Sequence, residues 1–98
     1  MKSLTPAQRQ HLKSLAHVRQ PVVMIGNQGL TAAVLKEIDL ALQSHELIKI
    51  KAGSNDLETR RNWMAEICAA AGASPVQQIG KILVVYRRAD KPVIVLPS

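Results

Sequence analysis

Four residues, Gly26-Asn27-Gln28-Gly29, separate a short apolar run from an amphipathic stretch and demand a sharp change of chain direction between them. Val22-Val23-Met24-Ile25 reads as a strand, while Val34, Leu35, Ile38, Ala41 and Leu42 recur at the spacing of one helix face. Two glycines at such a junction allow a tight turn and a close approach of the backbone to a ligand, because no Cβ intervenes. The same junction predicts free N–H groups at a helix N-terminus, where the macrodipole favours an anion such as phosphate.

The flanking segments are equally well punctuated. Thr5-Pro6-Ala7-Gln8 joins a helix cap, a proline at the first helical position and a glutamine three residues after the cap. Leu12, Leu15 and Ala16 follow at helical spacing, and Pro21 ends that helix and launches the first strand. Thr31 is placed to cap a second helix running to about Ser44. Leu47-Ile48-Lys49-Ile50-Lys51 is a second strand with one apolar and one cationic side. Asn55 and Glu58 predict a capping box for a third helix that buries Leu57, Met64, Ile67, Cys68 and Ala71 and ends at Gly72. Arg60 and Arg61 fall within that apolar arc, so the first turn is expected to overhang the core and leave both guanidinium groups at an edge. Val76–Ile79 and Ile82–Tyr86 around Gly80-Lys81 form a hairpin, and Val93–Leu96 reads as a short edge strand between Pro92 and Pro97. The order α-β-α-β-α-β-β predicts an α/β fold, a mixed sheet with helices packed on it, in a single domain over residues 1–98.

Charge is distributed unevenly. Of the net +6, the first 36 residues contribute Lys2, Arg9, Lys13, Arg19 and Lys36 with no acid. Residues 37–75 hold more acids than bases, and the remainder is basic again through Lys81, Arg87, Arg88 and Lys91. If the two ends meet in the fold, they make one positive face suited to a polyanion. The apolar runs are too short to span a bilayer and no signal-type opening is present, so the expected setting is the cytoplasm.

Catalysis finds no support in the residue pattern. His11, His17 and His45 lack helical pairing, and Cys68 sits on an apolar stripe as a small core residue. The acids are scattered, and the glycine turn lacks the spacing and Lys-Ser/Thr of a nucleotide-binding loop. No enzyme activity, cofactor, metal site or small-molecule substrate is expected.

Several blocks together resemble the CRM domain (chloroplast RNA splicing and ribosome maturation) family in its stand-alone bacterial YhbY-like form. They are Leu12–Ala16 with His17, Pro21–Thr31 containing the glycine turn, His45–Lys51, Glu58-Thr59-Arg60, and Gln78–Arg87. The resemblance covers essentially the whole chain. It implies a four-stranded mixed sheet similar to the C-terminal domain of translation initiation factor 3, plus an N-terminal helix. It also implies RNA binding, association with precursors of the large (50S) ribosomal subunit, and a functional loop falling on Gly26 to Gly29.

The residues argue for the same chemistry independently. Trp63 and Tyr86 are the only aromatic side chains, too few for a sheet that reads bases by stacking. Recognition is therefore expected to fall on the sugar-phosphate backbone, through the amides of Gly26, Asn27, Gln28 and Gly29, much as in the GXXG loop of KH domains. Candidate phosphate contacts are Arg9, Lys13, Arg19, Lys49, Lys51, Arg60, Lys81, Arg87 and Arg88. The pattern leaves open which face of the sheet meets RNA. A monomer that holds rRNA during 50S assembly is the leading expectation. The alternative is a protein-interaction or regulatory domain whose basic surface binds an acidic protein partner, and a duplex-DNA binder lacks an evident recognition helix.

Overall fold

The computed structural model describes residues 3–98; Lys2 of the basic opening stretch lies outside them. Helix α1 (Pro6–Ala16) opens on the predicted capping box, in which the Thr5 hydroxyl accepts the Gln8 N–H at 3.1 Å and the Gln8 carboxamide accepts the Thr5 N–H at 3.0 Å. Strand β1 (Pro21–Ile25), helix α2 (Ala32–His45), strand β2 (Leu47–Ala52), helix α3 (Leu57–Ala71), strand β3 (Ser74–Ile79) and strand β4 (Ile82–Tyr86) follow in the predicted order. The sheet order is β1-β2-β4-β3. Strands β1 and β2 are parallel because α2 carries the chain back between them, and β4 pairs antiparallel with both β2 and β3.

Alternation along the strands feeds two cores, one on each side of this sheet. Val23, Ile25, Ile48, Ile50, Leu83 and Val85 pack with Ile38 and Leu42 of α2 and Met64 and Ile67 of α3. On the other side Leu47, Val84, Tyr86 and Val76 pack with Leu12 and Ala16 of α1. The sheet is thus sandwiched between α1 on one face and the α2/α3 pair on the other.

Three local expectations need correction. The cap of α3 is Asp56 rather than Asn55: its carboxylate accepts the Thr59 N–H at 2.9 Å and the Thr59 hydroxyl at 2.7 Å. These two bonds, with Arg60 nearby, hold the Asp56 carboxyl below its ordinary value. Leu57 is not core; it is exposed, because the first turn of α3 projects beyond the sheet. Residues 93–96 form no strand. The tail is tied instead by Glu46, whose carboxylate accepts N–H groups from Ala89, Val93 and Ile94 at 2.8–2.9 Å. Ile94 and Leu96 then pack against the α1-side core, and the Gln8 side chain donates to the Pro97 carbonyl at 3.1 Å. The two ends of the chain do meet, on the α1 side.

Candidate nucleic-acid interface

Parallel β1 and β2 end side by side, so the loops after them emerge at one edge of the sheet. Gly26–Gly29 follows β1, the 53–55 turn follows β2, and the Gly80-Lys81 hairpin turn joins them there. Two main-chain bonds lock these loops: Gly53 N–H to Ile25 carbonyl at 2.8 Å, and Ala52 N–H to Lys81 carbonyl at 2.7 Å. The helix N-termini of α2 and α3 reach the same edge.

Gly26–Gly29 is a four-residue turn closed by the Gly29 N–H on the Gly26 carbonyl at 3.1 Å. The Thr31 N–H then bonds the Gly29 carbonyl at 3.1 Å, so of the four amides expected to be free that of Gly29 is consumed within the loop. Asn27 and Gln28, both exposed, keep main-chain N–H groups without a partner among the described residues. Gly29 has φ +73°, the left-handed region that favours glycine. Gly26 has no such need, and a Cβ built on it would meet nothing within 4 Å.

The two helix starts differ in what they offer an anion. Asp56 already places a carboxylate on the α3 terminus, whereas the α2 terminus is capped by the neutral Thr31 hydroxyl, which accepts the Val34 N–H at 3.1 Å. The positive pole of α2 thus stands uncompensated directly after the glycine turn.

The predicted contact residues fall into three groups. Lys51, Arg60 and Lys81 belong to the loop edge. The Arg60 guanidinium is half-buried and donates to the Ser54 carbonyl at 2.9 Å, which pins the 53–55 turn. Lys13 and Lys49 line one groove between α1 and the sheet, with Lys51 two residues further along the same face of β2. Arg9, from the first turns of α1, donates to the Pro75 carbonyl at 3.4 Å. Arg19, Arg87 and Arg88 lie at the opposite end of the sheet. There Arg19 donates to the Leu47 carbonyl at 2.7 Å. Arg87 ties α2 to α3 through the Asp39 carboxylate at 2.6 Å, the Asp39 carbonyl at 3.0 Å and the Ala71 carbonyl at 2.9 Å. By contrast, the side-chain ammonium groups of Lys13, Lys49, Lys51 and Lys81 have no hydrogen bond or ion pair among the described residues.

Sequence reasoning missed Glu46. It is 1% exposed, has φ +63°, and organises the distal end through three main-chain donors. Burial works to raise its carboxyl, but the N–H groups of Ala89, Val93 and Ile94, with the charge of Arg88, hold it below the ordinary 4.5. Elsewhere, no three His, Cys, Asp or Glu side chains converge as metal ligands among the described residues. Burial raises the Cys68 thiol. Among the described residues, no helix is long and apolar enough to cross a membrane.

Comparison with known proteins adds the family. The CRS1 / YhbY (CRM) domain matches residues 4–87. An RNA-binding protein of Haemophilus influenzae is 47% identical over 97 residues, covering 99% of this chain and 98% of that protein. The Pseudomonas aeruginosa protein named "Probable RNA-binding protein PA4753" is 41% identical over 90 residues, 92% of this chain and 86% of the relative. Among solved structures, that of the hypothetical protein SAV1595 from Staphylococcus aureus matches with a TM-score of 0.85 at 34% identity, covering 96% of this chain and 99% of that one.

Proposed function

We propose that this chain, which belongs to the CRS1 / YhbY (CRM) domain family, is an RNA-binding protein that grips the sugar-phosphate backbone at its glycine turn. One observation carries the reading. Gly26 is a glycine that the fold does not require, in a turn whose two exposed central amides are left without partners. A missing side chain and unpaired donors together suit a chain of acceptor oxygens pressed against the backbone. The unpaired lysines supply the charge: Lys51 and Lys81 at the loop edge, Lys13 and Lys49 on the adjoining α1 face. Arg60 steadies the neighbouring turn, while Arg19, Arg87 and Arg88 contribute to the positive field from the far end. The names of the curated relatives support RNA as the partner.

The RNA we assign is rRNA of large-subunit precursors, held without turnover by a monomer in the cytoplasm during ribosome assembly. Sucrose-gradient sedimentation tests this assignment: the protein should travel with 50S precursors and leave them at moderate salt. Mobility-shift titration of a large-subunit rRNA fragment tests the turn. Gly26→Asp puts an anion into open space where the fold tolerates a side chain, and it should weaken binding at least tenfold. Undiminished affinity in a folded G26D protein would remove the turn from the site.

A further inference from the structure

Trp63, the sole tryptophan, lies on α3 one turn after Thr59 and Arg60, with its ring half-buried against the α2/α3-side core. A Cβ built on Gly29 would stand 3.7 Å from its Cζ2 and 3.9 Å from its Nε1, so the N–H edge of the indole borders the glycine turn. That N–H has no partner among the described residues, and it is not sealed from solvent. A partly buried tryptophan ordinarily gives its N–H an acceptor. The groups gathered at this spot are instead donors: the indole, the amides of Asn27 and Gln28, and the Arg60 guanidinium, whose Nε is buried without a partner. The Asp56 carboxylate that caps α3 is already occupied by Thr59.

We infer that the indole N–H of Trp63 is an additional RNA ligand, donating to a phosphate or sugar oxygen of the strand held at the glycine turn. Indole is donor-only, so its counterpart must be an acceptor, which a sugar-phosphate chain supplies at every step. The inference rests on the turn being an RNA site. Its rival is that the ring merely fills space beneath Gly29, a task phenylalanine performs equally well.

Trp63→Phe separates the two in the full-length protein, with a single-stranded oligouridylate and a large-subunit rRNA fragment as probes. W63F should melt close to wild type and lose about tenfold in affinity, the worth of one N–H donor on a charged acceptor. Its slope of log affinity against log salt should stay unchanged, because a neutral donor releases no counterion. Wild-type tryptophan emission should shift as RNA saturates the site. If W63F binds like wild type while Gly26→Asp loses binding, the inference fails and the turn remains the site. If both bind like wild type, the reading of the turn itself fails. Should W63F not fold, the emission titration decides, and unchanged emission at saturating RNA overturns the role of Trp63.

Discussion

Three of the glycines at the loop edge, Gly26, Gly29 and Gly53, answer to three different physical conditions. Gly29 adopts φ +73°, where any Cβ is strained. At Gly53 a Cβ would sit 2.3 Å from the Ile25 carbonyl oxygen, which also accepts the Gly53 N–H, so β1 and the turn after β2 can be this close only without a side chain. Gly26 meets neither constraint. These differences predict opposite outcomes for one added methyl. Gly53→Ala should cost roughly 2–4 kcal/mol, because the opposing atom is strand backbone and cannot yield. Gly26→Ala should stay within about 0.5 kcal/mol of wild type yet bind RNA several-fold more weakly. Chemical denaturation and RNA titration of both variants check this. A large loss of stability in G26A would give that glycine a structural purpose and weaken the functional one. The sequence exposed the Gly26/Gly29 pair because the spacing is local and sits at a strand–helix junction. It did not expose the demand on Gly53, because the atom in its way belongs to a different strand.

Elements whose rule is written in neighbouring residues were legible in advance: three helices by their period and punctuation, the first strand by its apolar run, the second by alternation, and the last two by the hairpin loop Gly80-Lys81. The α3 cap slipped by one residue because Asn55 and Asp56 are both competent. Geometry decided between them by giving Asp56 two bonds to Thr59. The C-terminal tail was misread for a deeper reason. Its valines and isoleucine suggest a strand, but Glu46 takes the Val93 and Ile94 N–H groups that a sheet partner would otherwise take, and nothing near Glu46 in sequence announces a tie to Val93. That tie titrates. Because the folded carboxyl lies below its unfolded value of 4.5, its contribution is complete above that value and disappears as pH falls through the folded one. Glu46→Gln should therefore destabilise the protein by about 2–3 kcal/mol at neutral pH, as charged acceptors are replaced by a single neutral one. Acidification should bring wild type towards E46Q, and amide exchange at Ala89, Val93 and Ile94 should rise with it. Equal protection of those amides in E46Q would show that packing of Ile94 and Leu96, not the carboxylate, holds the tail.

Across the whole molecule, the sheet separates the charges. Neither α1 nor any strand contains an Asp or Glu, whereas Glu37, Asp39, Glu58 and Glu66 all ride on α2 and α3. The sequence showed basic ends and a mixed middle but left the RNA-facing side undecided, because that depends on where α1 lands. It lands on the same face as Lys49 and Lys51, and the tail packs there, so cations from α1 and β2 share a surface to which neither element contributes an acid, while the acids of α2 and α3 ride on the helices behind the sheet. A polyanion crossing from the glycine turn over β2 towards α1 meets unpaired lysines along the way, and one turning the other way meets carboxylates. With Lys13, Lys49, Lys51 and Lys81 in contact, log affinity for single-stranded RNA should fall with log salt at a slope of about −3. Lys49→Glu with Lys51→Glu should lower affinity by well over tenfold and flatten that slope by about 1.4, since two phosphate contacts vanish. Lys91→Glu, at the distal end, changes the net charge in the same sense but should leave the slope nearly intact. Equal losses from the two charge reversals, scaled to charge, would mean that the overall field rather than the α1 face governs binding, and the path across β2 would then have to be abandoned.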